Sequence, residues 1–531
     1  MDEYDYVVVG GGSAGCVVAA RLSEDPALSV CLIEAGGSDR QMLVETPFGA
    51  VAMLPTKINN WACATVPQAG LNGRRGYQPC GRVLGGSSSI NAMVYMRGHR
   101  WDYDHWAALG NDGWSFEEVL PYFKKSEHNE VFQDAYHGQG GPLNVADLRS
   151  ANPYQDVYLR AAQQAGFPLT ADFNGACQEG IGIHQVTQKN GERWNAARAY
   201  LHPHLGRRAN LALLTGTRTE RILFRGRRAV AVECRQGKAM RTIKARREII
   251  LCAGALRSPQ LLMLSGIGDG EALQRFAIPL VHHLPGVGKN LQDHPDYVFN
   301  YRADSLDLIG LSFPGALRLL REAGRYWRHR TGMISSNFAE GGGFLRRHAE
   351  SPAPDFQLHF VVGIVDDHAR RWHLGHGCSL HVCLLRPKSV GTLALASADP
   401  GAAPLIDPRF LDHPDDLDAL VDGYKLARRI MTAPAFAASR LRPLRADPAN
   451  DEEIRAELRN RVDTVYHPVG TCKMGVDGSA VVDPELKVHG IDGLRVVDAS
   501  IMPTLIGGNT NAPCIMIGEK AADLIRAGLS I

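Results

Sequence analysis

Tyr4-Asp5-Tyr6-Val7-Val8-Val9-Gly10-Gly11-Gly12-Ser13-Ala14-Gly15-Cys16-Val17-Val18-Ala19-Ala20-Arg21-Leu22 is the stretch on which the fold turns. An apolar, strand-forming run leads into a GxGxxG turn and then into a helix. Gly10 permits the tight turn, Gly12 lets the backbone approach a pyrophosphate, and Gly15 lets helix and strand pack closely. Phosphates bind at such a helix start because its N–H groups are unpaired and the helix dipole favours anions. A second strand, Ser29-Val30-Cys31-Leu32-Ile33, ends in Glu34-Ala35-Gly36. Glu34 lies about 20 residues beyond the glycines, where a dinucleotide fold places the carboxylate that accepts the ribose hydroxyls. An acid there disfavours NADP, whose extra phosphate needs a cation. The choice between NAD and FAD stays open on this stretch alone.

Working outward, 531 residues are too many for one ordinary domain, and two or three are expected. The composition, 45% hydrophobic and 21% charged with a net charge of +2, is that of a globular protein and gives no sign of a polyanionic partner. No nucleic-acid partner is expected. Met1-Asp2-Glu3 is acidic and has no basic n-region or apolar h-region, so no secretory signal is read. The apolar stretch 249–268 holds Arg257 and Pro259 and reads as strand, turn and buried helix, not as an integral membrane segment. Eleven cysteines without CxxC spacing make neither a disulfide framework nor a zinc site. Asp366-Asp367-His368 reads as a solvated turn, and no metal is expected.

Residues 41–78 mix Pro, Gly and Asn with isolated apolar side chains and read as a long covering loop, with Trp61 as its apolar anchor. Gly85-Gly86-Ser87-Ser88-Ser89 then enters what reads as an apolar helix, a second backbone-rich anion site. It lacks the GxSxG order of a serine hydrolase. Helices are expected within 101–123, 152–166 and 190–205. Strands are expected at 211–214, 221–224, 229–233 and 248–254, as an antiparallel insertion ending in a buried strand. From 296 to 455 the chain is rich in Arg, His and Pro, with strands at 356–362 and 379–385 and a long helix after Pro414. This reads as a second, sheet-containing domain. The chain closes with a helix over 515–527.

Four separated stretches resemble the glucose–methanol–choline (GMC) flavin oxidoreductases. They are the N-terminal glycines with Glu34; Gly81 to Asp104; Gly254 to Gly268 with Leu284 to Leu291; and Tyr466-His467-Pro468-Val469-Gly470-Thr471 through Asp498-Ala499-Ser500 to Asn509-Thr510-Asn511-Ala512-Pro513. The chain is most similar to the bacterial choline-dehydrogenase-like and alcohol-dehydrogenase-like branch. The resemblance implies an α/β fold: a Rossmann-like FAD-binding domain (1–155, 191–295 and 461–531) with a discontinuous α+β substrate domain on an antiparallel sheet (156–190 and 296–460). It implies FAD held by Gly10, Gly12, Ser13, Ala14, Gly15, Glu34, Ala35 and Trp61, by Gly86, Asn91, Ala92, Met93 and Val94, and by Thr219, Asp498, Ala499, Asn509 and Thr510. Ile90 stands where some members carry a flavin-linked histidine, so the FAD is expected to be non-covalent. His467 is the implied base, which an imidazole titrating near neutrality suits. Asn511 is the implied amide that orients the substrate oxygen. His359, His381 and His368 are expected to be structural or exposed. The implied reaction is oxidation of a primary alcohol to an aldehyde, with electrons passing to a quinone-like acceptor. The alternatives are an oxidase that passes them to O2 and a lyase-type member whose FAD is not redox-active. The expected location is cytoplasmic or membrane-peripheral.

Overall fold

The computed structural model describes residues 2–528. Its first sheet is built on the opening motif. Strand Asp2–Val9 lies between Val30–Ile33 and Ala239–Leu251, with Leu211–Leu214 beyond the second and Leu494–Val496 beside the third, all parallel. Parallel strands covered on both faces read as continuous apolar runs, and Tyr6-Val7-Val8-Val9 and Val30-Cys31-Leu32-Ile33 are buried throughout. Thr217–Arg225 and Arg228–Gln236 extend the sheet as an antiparallel meander from the outer half of Ala239–Leu251. The expected insertion is therefore present, except that Leu211–Leu214 belongs to the parallel sheet.

Helix Ser13–Leu22 packs on this sheet with only Ser13 and Arg21 partly open to solvent. A Cβ on Gly15 would stand 1.9 Å from the Gly10 carbonyl oxygen, so the close helix–strand packing needs glycine. The last helix, Asn511–Ala527, crosses Ser13–Leu22 at Gly518, where a Cβ would lie 2.9 Å from that of Val17. Beside this crossing the fully buried Glu519 pairs with Arg21 at 2.8 Å and accepts the Tyr200 hydroxyl, so the buried charge is satisfied.

The second sheet is antiparallel, with Gly180–Ile183, Ala339–Leu345, Phe356–Val361, Gly375–Leu384 and Pro295–Ala303 side by side. Side chains alternate across it. Phe356, Leu358, Phe360, Leu380 and Val382 point outward into a core with helix Pro414–Met431, which contacts Phe356 at Gly423. Gln357, His359, Val361 and His381 take the other face.

Three expectations are corrected. Residues 41–78 are not one loop but carry short helical turns at Met42–Glu45, Pro47–Gly49 and Ala50–Met53. No apolar helix follows Gly86: a single 3₁₀ turn, Gly86–Ser89, ends in irregular backbone with Met93 at φ 58°. The cause is the buried Arg193, whose guanidinium takes the carbonyls of Ser88 and Asn91 that a helix would have used. The turn at Asp366 is not solvated. Asp366 is buried and pairs with Arg461 and His373, while His368 pairs with Asp463 at 3.0 Å. A further long helix, Phe313–His329, escaped the sequence reading; it starts at Ser312, whose hydroxyl accepts the Gly315 N–H, and buries only Tyr326.

Candidate active site

One cavity of about 1000 Å³ runs between the two sheets. Its inner half is lined by Gly10, Gly12, Ser13, Ala14, Glu34, Ala35, Trp61 and Gly86. Asn91, Ala92, Met93, Val94, Thr219, Asp498, Ala499, Asn509, Thr510 and Asn511 continue the wall. Gly15 is not in the wall; it serves the packing beneath it.

The local causes of this arrangement are visible. The first N–H groups of helix Ser13–Leu22 have no intrahelical partner and open into the cavity, as an anion site requires. The second glycine loop closes on the first: a Cβ on Gly86 would stand 2.7 Å from Gly12 Cα. The Glu34 carboxylate accepts the N–H groups of Gly11 (2.9 Å) and Gly36 (2.7 Å), one on each oxygen, which leaves a lone pair on each for a ligand hydroxyl. Burial pushes Glu34 up to about 7, so bringing donors to it is favourable. Asp498 is occupied by protein groups: Gly254 N–H, Ser258 hydroxyl and Ser500 N–H all donate to it, and it sets the backbone beside the cavity. The guanidinium groups of Arg82 and Arg257 stand over the Trp61 ring, 4.6 and 4.2 Å from its centre. Ile90 packs with Val44, Met53 and Val83. The donors, the acid and the glycine cradle together fit a dinucleotide.

At the other end of this wall His467 is buried, held by strained backbone and by a carboxylate. Tyr466 before it sits at φ 76°, a conformation that costs an ordinary residue about 1–3 kcal/mol. Asp293 Oδ1 accepts the backbone N–H groups of His467 (3.0 Å) and His294 (2.9 Å), while Oδ2 accepts from Gln78 and Thr464. The ring of His467 meets His294 through Nδ1 on both, at 2.9 Å, and His294 Nε2 lies 3.0 Å from the Leu385 carbonyl oxygen. A carbonyl only accepts, so His294 carries its proton on Nε2 and accepts at Nδ1. His467 then carries its proton on Nδ1 and presents a bare Nε2 to the cavity.

That Nε2 is 3.2 Å from the side-chain nitrogen of Asn509, whose carbonyl oxygen accepts from Gln357 (3.0 Å). Asn511 is placed differently. Its side-chain oxygen accepts the Ser13 hydroxyl at 2.7 Å, at the start of the last helix. The amide beside His467 is therefore Asn509, two residues before the one expected. The chain passes from irregular backbone at Asn509 into the helix that starts at Asn511, and that change of path, which no residue type records, separates the two side chains.

His359 and His381 are not remote structural residues; both line the cavity. His381 Nδ1 is 2.6 Å from Asp296. His359 is buried, and among the described residues neither of its ring nitrogens has a partner. A sequence signal existed: Gln357, His359 and Val361 alternate along one strand with Leu358 and Phe360, which puts a polar face opposite an apolar one.

Burial drives His467 down to about 3, and His294, buried and beside His467, also falls well below the usual imidazole range. A base must be unprotonated, and a lowered pKa means that this form is lost only as pH falls through the lowered value, not near 6.5. The pH profile of kcat/KM is thus expected to show no acid limb from His467 between about pH 8 and 5. Asp293, raised by burial to about 6, titrates in this window and is removed from the comparison by Asp293→Asn. Glu34, raised to about 7, titrates there too and is removed by Glu34→Gln, so an inflection near 6.5 that persists in both Asp293→Asn and Glu34→Gln would mean that the imidazole is solvated.

Comparison with known proteins agrees along the whole length. Two family models described as GMC oxidoreductase match residues 4–296 and 387–518. An alcohol dehydrogenase [acceptor] of Pseudomonas putida is 47% identical over 98% of this chain and 95% of its own. The mitochondrial choline dehydrogenase of Homo sapiens is 45% identical over 99% and 90%. Among solved structures, pyridoxine 4-oxidase from Mesorbium loti superposes with a TM-score of 0.88 at 31% identity, covering 99% of both chains.

Proposed function

The chain belongs to the GMC oxidoreductase family, and from that premise we propose that it holds FAD without a covalent bond and oxidises a neutral, apolar primary alcohol to the aldehyde. It is an FAD-dependent enzyme of the alcohol- and choline-dehydrogenase type. The single observation that carries the mechanism is the bare Nε2 of His467 facing Asn509 at 3.2 Å on the cavity wall.

In this reading Gly12, Ser13 and Ala14 would hold the pyrophosphate, Glu34 would take the ribose hydroxyls, and the backbone from Asn91 to Val94 would hold the flavin end. The flavin, once bound, supplies the hydride acceptor. His467 Nε2 takes the hydroxyl proton, and His294, pinned to the Leu385 carbonyl, keeps the ring in the tautomer that can do so. The alcohol oxygen enters between Nε2 and Asn509, and the amide N–H turns to the oxygen as negative charge develops there. Gln357 holds the amide so that its N–H and not its oxygen faces the substrate. Ile90 offers only hydrocarbon where a covalent link would need a nucleophile.

The substrate preference follows from charge. The two carboxylates in the cavity wall, Glu34 and Asp498, both lie in the dinucleotide half, while the rest of the wall carries no carboxylate and joins Phe48, Leu308, Phe338, Val361, Ile364 and Val465 to the imidazoles of His359, His373, His376 and His381. A quaternary ammonium would be buried there without an anion, at a cost that a neutral chain does not meet. Electrons are assigned to a quinone-like acceptor, since the P. putida relative is named for an unspecified acceptor and not for oxygen, and the location is read as cytoplasmic or membrane-peripheral. Oxygen is the alternative, since a further relative from Cronobacter sakazakii is named an oxygen-dependent choline dehydrogenase.

Three measurements test the proposal. Under anaerobic conditions the holoenzyme should bleach with hexanol, with kcat/KM exceeding that for choline by about tenfold or more. Acid precipitation should leave the flavin in the supernatant. The absence of bleaching by any alcohol would favour the lyase-type alternative, and colour in the pellet would refute the non-covalent reading. Turnover with O2 against an artificial quinone then decides the acceptor.

A further inference from the structure

Helix Phe313–His329 is a surface helix whose apolar stripe faces the wrong way for a soluble protein. At the 3.6-residue period its side chains fall into three bands. Gly315, Glu322 and Tyr326 form the band against the body: Tyr326 is buried, and Glu322 accepts the Met333 N–H at 2.9 Å. Phe313, Ala316, Leu317, Leu320 and Trp327 form a second band, directed to solvent. Phe313, Leu320 and Trp327 are 78%, 72% and 74% exposed. Arg318, Arg321, Arg325 and Arg328 form the third band, along one flank of the apolar stripe.

The stripe does not end with the helix. Leu311 bridges to Leu374, and Trp372 and Leu374 are 71% and 79% exposed on the neighbouring segment. Scattered exposed apolar residues are ordinary, but a continuous patch of this kind marks an interaction surface. The patch is also the rim of the cavity: Leu311, Phe313, Ala316, Leu319, Trp372 and Leu374 all line its outer mouth.

Charge identifies the occupant. The helix carries four arginines against one glutamate, and that glutamate faces inward. Arg318 is balanced by Asp307 at 2.8 Å, while Arg321 and Arg328 form no ion pair among the described residues. An apolar stripe flanked by long cationic side chains, on a helix of low overall hydrophobicity, is the pattern of a helix lying in a bilayer interface. Its arginines meet lipid phosphates while Leu and Trp enter the acyl boundary. Two copies packed with these helices antiparallel would bring the arginine rows together. Among the described residues no helix is long and apolar enough to cross a membrane, so the contact is one of lying on the surface.

We propose that helix Phe313–His329, with the Trp372–Leu374 segment, docks the protein on an anionic lipid surface with the cavity mouth turned to the bilayer. An apolar alcohol or lipid-dissolved acceptor would then enter from the membrane without crossing bulk water. The docking itself does not depend on which substrate the site takes.

Vesicle flotation of the full-length holoenzyme tests this, with phosphatidylcholine vesicles made with and without phosphatidylglycerol. Binding is expected to the anionic vesicles and to weaken at high salt. Leu317→Glu/Leu320→Glu and, separately, Arg321→Glu/Arg328→Glu should each weaken it by about tenfold or more. None of these four side chains lines the cavity, so turnover of a short, water-soluble alcohol should be unchanged in both variants. Absence of flotation, or flotation that neither variant alters, overturns the proposal. So does a dimer in solution that Leu317→Glu/Leu320→Glu dissociates without any vesicle binding, which would assign the face to a second copy.

Discussion

His467→Ala is expected to slow anaerobic flavin reduction by about 10²–10⁴-fold, the span of a lost general base. The imidazole is held at three levels. Asp293 fixes its backbone, Tyr466 at φ 76° aims it, and His294 fixes the proton on the nitrogen away from the cavity. Alanine keeps the first two and removes the base with its hydrogen bonds to His294 and Asn509, so FAD content should stay near wild type. Stopped-flow reduction by a good alcohol, scored beside the flavin spectrum of the purified variant, separates chemistry from binding. Reduction at a near-normal rate would remove His467 from the mechanism. Loss of FAD together with the rate would mean that the ring supports the cofactor and not the proton transfer. His294→Ala offers a graded companion: it leaves Nε2 in place and loosens the tautomer, so its defect should be smaller than that of His467→Ala.

Asn509→Ala is expected to cost about 10²–10³-fold in the same assay, the usual loss for one donor aimed at a developing oxyanion. Asn511→Ala should cost much less, because its side chain is spent on the Ser13 hydroxyl and not on His467. Its effect should appear instead in FAD retention, since Ser13 stands at the start of the phosphate-binding helix. The pair of variants thus distinguishes two residues only two positions apart. A larger rate defect in Asn511→Ala than in Asn509→Ala would reverse the assignment. His467 and Asn509 act on one oxygen, so their double variant should lose less than the two single losses multiplied together. Strict multiplication would place them on different atoms.

Much of this was legible in the residues themselves. The parallel sheet could be read from Tyr4 to Leu22 because each requirement is local: a buried apolar strand, a turn that only glycine can make, and a helix start with free N–H groups. Glu34 could be placed because its distance along the chain from the glycines is set by one strand–helix–strand unit. The same holds for the helix after Pro414, whose start is marked by a proline and two aspartates. Where the reading failed, the deciding partner lay far away in sequence. Residues 86–93 have the composition of a helix start but lose it to Arg193, about a hundred positions on, which captures the carbonyls a helix would have used.

The site shows the same division. His467 was recognisable from the block around it, but its protonation is set by burial and by His294, 173 positions earlier. The sequence places an imidazole that titrates near neutrality; the folded protein makes it a neutral base with a defined tautomer. Asn509 and Asn511 are the same residue type in the same turn, and only the path of the backbone into the last helix decides which faces the histidine and which faces Ser13. Alternation along its strand puts His359 on a polar face, but only the folded chain makes that face, with His381 beside it, part of the cavity wall. Sequence alone determined the elements whose causes lie within a few residues: strands, glycine turns, helix starts and the acid at a strand end. Tertiary structure decided proton positions, the direction of side chains in turns and the exposure of the Phe313–His329 stripe. Those depend on desolvation and on hydrogen-bond partners that only the folded chain brings together.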